Sequence, residues 1–271
     1  MAKVIHRLQD YRHLEWSKLT HSSGMGGSIL KSYRIMDNTK IYYKLSDYSS
    51  VHGFIGHECV NEILAARLMG VLGIEHLDYN LIHARVKIGN KEYKTYLCSS
   101  KDYKKEGESA ISMETYYRDN HREKEEPLEF CIRMGWAQTI YKMFIVDYII
   151  LNRDRHGANV EVLYNRNTHK VRLAPLYDHG LSLVCECKKE RELEEFDIMR
   201  DVKIQSFVAG CSANDNLSLV PVKIMRQIGN LDRNSESELF EGLEGIISNR
   251  YREKMWDMIW KRWQHFDRMR Q

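Results

Sequence analysis

Apolar and polar positions change rhythm along the chain. Residues 29–36 and 40–45 have strand-like patterning, and the polar pair Asp37-Asn38 between them supplies turn chemistry. Val60, Ile63, Leu64, Leu68, Val71 and Leu72 recur at helical spacing, which predicts a helix over 57–72 that Gly73 stops. Two more strands are expected over 79–87 and 93–98, around a Gly89-Asn90 turn. A hinge is expected near 97–100, followed by a solvated charged loop over 101–108. The pattern then becomes helical and strongly apolar over 128–151, through Phe130, Met134, Ala137, Ile140, Tyr141, Phe144, Ile145 and Tyr148. Two short strands, 160–164 and 170–173, follow around the polar turn 165–168. Residues 219–271 read as helices, the last carrying Trp256, Trp260 and Trp263 on one face. Residues 1–20 mix aromatic and charged positions without a usable period.

This order, strands first and helices after, predicts an α+β fold of two lobes. The expected units are a small β-rich N-lobe over 1–100 and a mostly helical C-lobe over 101–271. A chain of 271 residues is long enough for either one domain or two modest lobes.

Composition changes this picture little. Net charge is +3, too slight to argue for direct nucleic-acid or membrane binding. The tryptophan stripe has basic neighbours, but core packing is the ordinary reason for such spacing. None of the six cysteines forms a C-x-x-C pair, so reduced thiols are expected rather than a zinc or redox site. No apolar run suits a signal peptide, and the stretch around Ile145 to Leu151 is interrupted by Asp147. A cytoplasmic protein is the expectation.

Candidate chemistry changes the picture most. The apolar stretch 147–151 leads into Asn152-Arg153-Asp154-Arg155-His156-Gly157-Ala158-Asn159, and Leu176-Tyr177-Asp178-His179-Gly180 follows after the hairpin. An Asp five residues before an Asn, a hairpin, then a second Asp followed by Gly is how kinase-like folds build phosphoryl-transfer sites. There the first Asp orients or deprotonates the attacking hydroxyl, while the Asn and second Asp hold Mg²⁺ on the ATP phosphates. Lys44, in the second strand, is the candidate phosphate lysine, and Glu62, among small and apolar neighbours on the helix, its partner. Glu58 is expected only to favour the helix N-terminus. Ser23, Gly24, Gly26, Gly27 and Ser28 precede a β-hairpin rather than a helix, which suits a loop over ATP phosphates better than a dinucleotide fingerprint. Asp147 is expected to be structural.

These motifs resemble the HipA-like serine/threonine kinases, a bacterial branch of the kinase-like fold known from toxin–antitoxin modules. Residues 152–159 are close to the family's N-x-D-R-H-x-x-N, and Leu173-Ala174-Pro175-Leu176-Tyr177-Asp178 matches its L-A-P-x-Y-D segment. Asn61-Glu62 resembles the N-E of the family's glutamate-bearing helix, and Ser22 to Ser28 occupies the place of its phosphate loop. That loop usually reads S-x-x-G-x-Q-x-K, whereas Gly26-Gly27-Ser28 stands here. The resemblance spans most of the chain and implies a short form holding the kinase-like core, the family's extra N-terminal subdomain being absent or a separate protein.

By this resemblance Asp154 is the base or hydroxyl-orienting group, Asn159 and Asp178 are Mg²⁺ ligands, and Lys44 and Glu62 form the phosphate-binding pair. His156 is expected to hold the loop and the metal-binding Asp in place. Arg155 is left open between neutralising a phosphate and a structural ion pair. The implied activity is ATP-dependent phosphorylation of a Ser or Thr on a protein, with autophosphorylation near Ser22, Ser23 or Ser28. A toxin role and an antitoxin protein partner come with the same resemblance. A phosphoinositide or small-molecule kinase, and a catalytically silent ATP-binding module, are the alternatives. A metal-dependent nuclease lacks a second carboxylate cluster.

Overall fold

The computed structural model describes residues 2–18 and 29–271. The first part of the chain builds a sheet from β1 (Lys3–Asp10), β2 (Ser17–Lys18), β3 (Leu30–Met36) and β4 (Thr39–Leu45). Two short strands, β5 (Tyr48–Ser49) and β6 (Gly53–Phe54), pair with each other and lead to helix α1 (Glu58–Val71). Strands β7 (Asn80–Ile88) and β8 (Lys91–Lys101) complete a six-stranded sheet in the order β1-β7-β8-β4-β3-β2. All its pairings are antiparallel except β1 with β7.

Local chemistry explains these elements. Asp37 and Asn38 adopt φ of +48° and +60°, the left-handed backbone that a tight two-residue hairpin demands and that Asp and Asn tolerate. Helix α1 ends where Gly73, at φ +67°, lets the Ile74 amide reach back to the Met69 carbonyl at 2.9 Å. Leu97 to Ser100, expected at a hinge, lie inside β8, and the chain leaves the sheet only after Lys101.

The second part carries β9 (Glu108–Ser112), helices α2 (Met113–Asn120), α3 (Pro127–Arg133) and α4 (Ala137–Ile149), and the two-residue β10 (Asp154–Arg155). Next come β11 (Glu161–Asn165), β12 (Val171–Leu173), α5 (Glu190–Glu195) and β13 (Gln205–Ser206). Helices α6 (Ala213–Ser218), α7 (Val222–Met225), α8 (Ser235–Leu239) and α9 (Asn249–Met269) end the chain. The helix expected over 128–151 is two helices. Gly135, at φ +78°, breaks it, and the Trp136 amide bonds the Cys131 carbonyl at 2.9 Å in the same capping geometry as α1. The expected 160–173 hairpin gains a third strand, because β9, within and just after the charged stretch, pairs with β11.

One large core joins α1, α4 and α9, while a smaller one around Tyr43, Leu45, Ala84 and Leu97 sits under the sheet. Trp263 is buried in the large core, and Trp256 and Trp260 pack against it with their rings stacked 5.7 Å apart. Core packing therefore accounts for the stripe. All six cysteines are free thiols. Among the described residues, no helix is long and apolar enough to cross a membrane.

Candidate functional site

Strand β4 and helix α1 bring Lys44 and Glu62 together. Lys44 Nζ donates to Glu62 Oε1 at 2.7 Å and to Asp178 Oδ1 at 2.5 Å. Glu62 is completely buried, and its second oxygen accepts the His179 amide at 2.8 Å. One glutamate thus ties the strand lysine to the segment that carries Asp178. Burial opposes the charge on Lys44, but Asp178 and Glu62 outweigh it and raise its pKa well above the usual lysine value. Burial likewise works against ionised Asp178, yet Lys44 and then Lys31 hold its pKa well below the ordinary carboxylate value.

Lys31 is a member of this cluster that the sequence pattern did not single out. It lies directly across from Lys44 in the β3–β4 pair, and its Nζ is 3.3 Å from Asp178 Oδ2. Asp178 itself has φ of +57°, unusual for a residue with a side chain, and its amide meets the Tyr79 hydroxyl at 3.3 Å.

The loop after α4 is fixed from beneath by Asp147. This buried carboxylate accepts from Asn152 Nδ2 at 2.9 Å and from Arg155 Nε and Nη2 at 2.9 and 2.8 Å. Arg155 Nη1 also donates to the carbonyls of Asn159, at 3.2 Å, and Tyr177, at 2.9 Å. The guanidinium is 1 % exposed, so it holds together the two segments that bear Asn159 and Asp178 instead of meeting a phosphate. Planar, multivalent donation is what arginine supplies and lysine does not.

Asp154 stands on this frame. Its carbonyl accepts Asn159 Nδ2 at 2.9 Å, and its Oδ1 is buried without a hydrogen-bond partner, 3.5 Å from His156 Nε2. Burial raises the Asp154 pKa, His156 opposes the shift, and the negative charge of Asp178 adds to it. His156 Nδ1 accepts the Ala158 amide at 3.1 Å, so the ring caps its own loop and faces Asp154, not Asp178. A carboxylate with an unused acceptor oxygen and a raised pKa is chemically able to take up a proton.

Lys44, Glu62 and Asp178 line a cleft of about 250 Å³, together with Lys31, Tyr103 and Glu161. Among the described residues, no group of three or more His, Cys, Asp or Glu side chains converges as a metal cage. The donor set suits a magnesium ion all the same, because that ion usually takes one or two protein oxygens and completes its shell with water and phosphate. Asn159 and Asp178 are the residues that would hold it. The expected phosphate loop, Ser23, Gly24, Gly26, Gly27 and Ser28, lies outside the described residues.

Glu58 stands in the first turn of α1, as expected, and does more there. It is completely buried, accepts the Asp47 amide at 2.9 Å, and has Lys188 Nζ 3.6 Å from its other oxygen. It belongs to a second buried charge cluster.

No family model matches the chain, and no curated protein does. Solved structures do. The Helicobacter pylori proinflammatory kinase CtkA is similar with a TM-score of 0.61 at 16 % identity, covering 93 % of each chain. HipA of a Shewanella oneidensis MR-1 toxin–antitoxin system, solved with HipB and operator DNA, gives 0.45 at 15 % identity, over 89 % of this chain and 65 % of that one. The likeness to CtkA spans nearly the whole molecule, and the fold of this chain is kinase-like.

Proposed function

We propose that the protein is an ATP-dependent kinase that phosphorylates serine or threonine on a protein. The observation that carries this reading is the convergence of Lys44, Glu62 and Asp178 in one cleft, with Arg155 tying Asp178's segment to the loop of Asp154 and Asn159. Phosphoryl transfer needs little covalent chemistry from a protein, so positioned charge is the relevant support. Lys44, kept cationic and aimed by Glu62, binds the phosphate end of the nucleotide. Asp154 orients the acceptor hydroxyl and takes its proton. Asn159 and Asp178 hold Mg²⁺, which when bound neutralises charge on the phosphates. Autophosphorylation at Ser22, Ser23 or Ser28 and an antitoxin-type protein partner belong to the same reading, on the strength of the sequence motifs.

The test is incubation of wild type and Asp154→Asn with ATP and Mg²⁺, followed by intact and peptide mass spectrometry. Phosphate gained by the wild type alone supports the reading, most strongly if it maps to those serines. Equal phosphorylation of the two proteins overturns the role of Asp154. No phosphate on either, with ATP still bound, points to a silent nucleotide-binding module.

A further inference from the structure

Two residues past Asn159, at the start of β11, the cleft contains a carboxylate that none of the roles above uses. Glu161 lines the same space as Lys31, Lys44 and Asp178. One of its oxygens accepts a hydrogen bond from the hydroxyl of Tyr103, which lies on the connection between β8 and β9. The Tyr103 ring stacks on Tyr177 with centroids 5.7 Å apart, and the Tyr177 hydroxyl donates to the Ala158 carbonyl at 2.7 Å. Burial, then Tyr177, then Glu161 raise the Tyr103 pKa, which keeps its hydroxyl a donor. The carboxylate is therefore held in place from the linker side, and no hydrogen bond to its other oxygen is found among the described residues.

An ionised carboxylate only accepts hydrogen bonds. The triphosphate of ATP is anionic and offers acceptors, so a carboxylate beside it in a partly desolvated cleft would repel it. The neutral donors of ATP are its ribose hydroxyls and the 6-amino group of adenine. Lys44 and Lys31 already mark the anionic end at Asp178. We propose that Glu161, presented by Tyr103, reads the nucleoside end of the bound nucleotide by accepting a hydrogen bond from a ribose hydroxyl or the base amino group. This rests on the nucleotide-binding reading above and adds to it a residue that sets which nucleotide fits.

The experiment is calorimetric titration of the full chain, as wild type, Glu161→Gln, Glu161→Leu and Tyr103→Phe. The ligands are ATP, 2′-deoxyATP, 3′-deoxyATP, purine riboside triphosphate (which lacks the 6-amino group) and inorganic tripolyphosphate, with thermal unfolding to confirm that each variant folds. Glu161→Leu should weaken ATP about 10- to 100-fold, the range for one lost charge-assisted hydrogen bond, and leave tripolyphosphate unchanged or tighter. Glu161→Gln, which keeps an acceptor, should lose less, and Tyr103→Phe should lose part of the effect. Wild type should discriminate against one of the three analogues by a similar factor, and Glu161→Leu should not. That analogue identifies the donor as a ribose hydroxyl or the base amine.

Equal ATP affinity in wild type and Glu161→Leu overturns the proposal while leaving nucleotide binding intact. So does a parallel loss for tripolyphosphate, or wild type binding all three analogues as tightly as ATP. Failure of the wild type to bind any nucleotide removes the reading on which the proposal rests, and is distinguishable from those results.

Discussion

Helix α1 buries two glutamates one turn apart, and each shares a cluster with a lysine and an aspartate, one from the segment just before the helix and one from the distant segment around Gly180. In the first cluster Lys44 sits between Glu62 and Asp178 at 2.7 and 2.5 Å, hydrogen-bonded to both. In the second Lys188 sits between Glu58 and Asp47 at 3.6 Å from each, and its Nζ has no hydrogen-bond partner. The ingredients are the same and the geometry is not. Glu62 spends both oxygens on partners, whereas Glu58 Oε1 and Asp47 Oδ1 are buried without a hydrogen bond. Buried charge raises the Asp47 pKa, first through burial and then through Glu58, with Lys188 pulling the other way. A tightly bonded cluster suits a site that must present a lysine in one place; a looser one ties the segment after Gly180 to the start of α1.

The comparison can be broken experimentally. The largest effect is expected for Lys44→Met, which leaves Glu62 buried without its cation. Folding should be destabilised by about 3–5 kcal/mol, the range for breaking a buried ion pair. Transfer should drop by on the order of 10²–10³-fold. Denaturant unfolding and the phosphorylation assay read the two losses, and a variant as stable as wild type would contradict the assigned pairing.

Lys188→Met should cost less, roughly 1–3 kcal/mol, because the contacts it loses are long but two buried carboxylates are left without a counter-charge. Adding Glu58→Gln should recover much of that loss. A double variant less stable than Lys188→Met would show that Glu58 does not depend on Lys188.

Gly180 sits where the two clusters meet. A methyl group there would lie 3.1 Å from Lys44 Nζ, 3.2 Å from Glu58 Cβ and 3.4 Å from Glu62 Oε1. Gly180→Ala should therefore disturb both at once, with a stability loss of about 1 kcal/mol or somewhat more. ATP affinity and transfer should fall together by roughly 10-fold, a drop of about 1.4 kcal/mol. An alanine variant with unchanged kinetics would mean that the lysine yields without consequence.

The smallest effect concerns pH. In the proposed role Asp154 takes the hydroxyl proton in its deprotonated form, so transfer should rise with pH through its raised pKa and level off above it. The acid limb should lie above the usual carboxylate range. His156 opposes the shift, so His156→Ala should move the limb to still higher pH. A limb that moves down, or not at all, would remove His156 from the electrostatics of Asp154.

Much of the fold was legible because it is local. The Asp37-Asn38 hairpin, helix α1 with its Gly73 stop, and the hairpin of β11 and β12 depend on residues within a turn or two of each other. The break at Gly135 was missed because apolar spacing continues across it, and a glycine inside a helical pattern does not announce a change of direction. Strand β9 was missed because its pairing with β11 joins residues about fifty apart in the chain.

The candidate site divides along the same line. The sequence by itself determined the spacing of Asp154 and Asn159, the position of Asp178, and the strand and helix that carry Lys44 and Glu62. Only the tertiary structure decided that Arg155 is a buried tie, that Lys31 shares Asp178, that Glu58 has its own lysine, and that Tyr103 presents Glu161 into the cleft. Backbone periodicity is set by near neighbours and leaves its mark on the sequence. The partner of a charge is set by which surfaces the folded chain buries against each other, and a lysine 134 residues from its aspartate carries no local sign of that meeting.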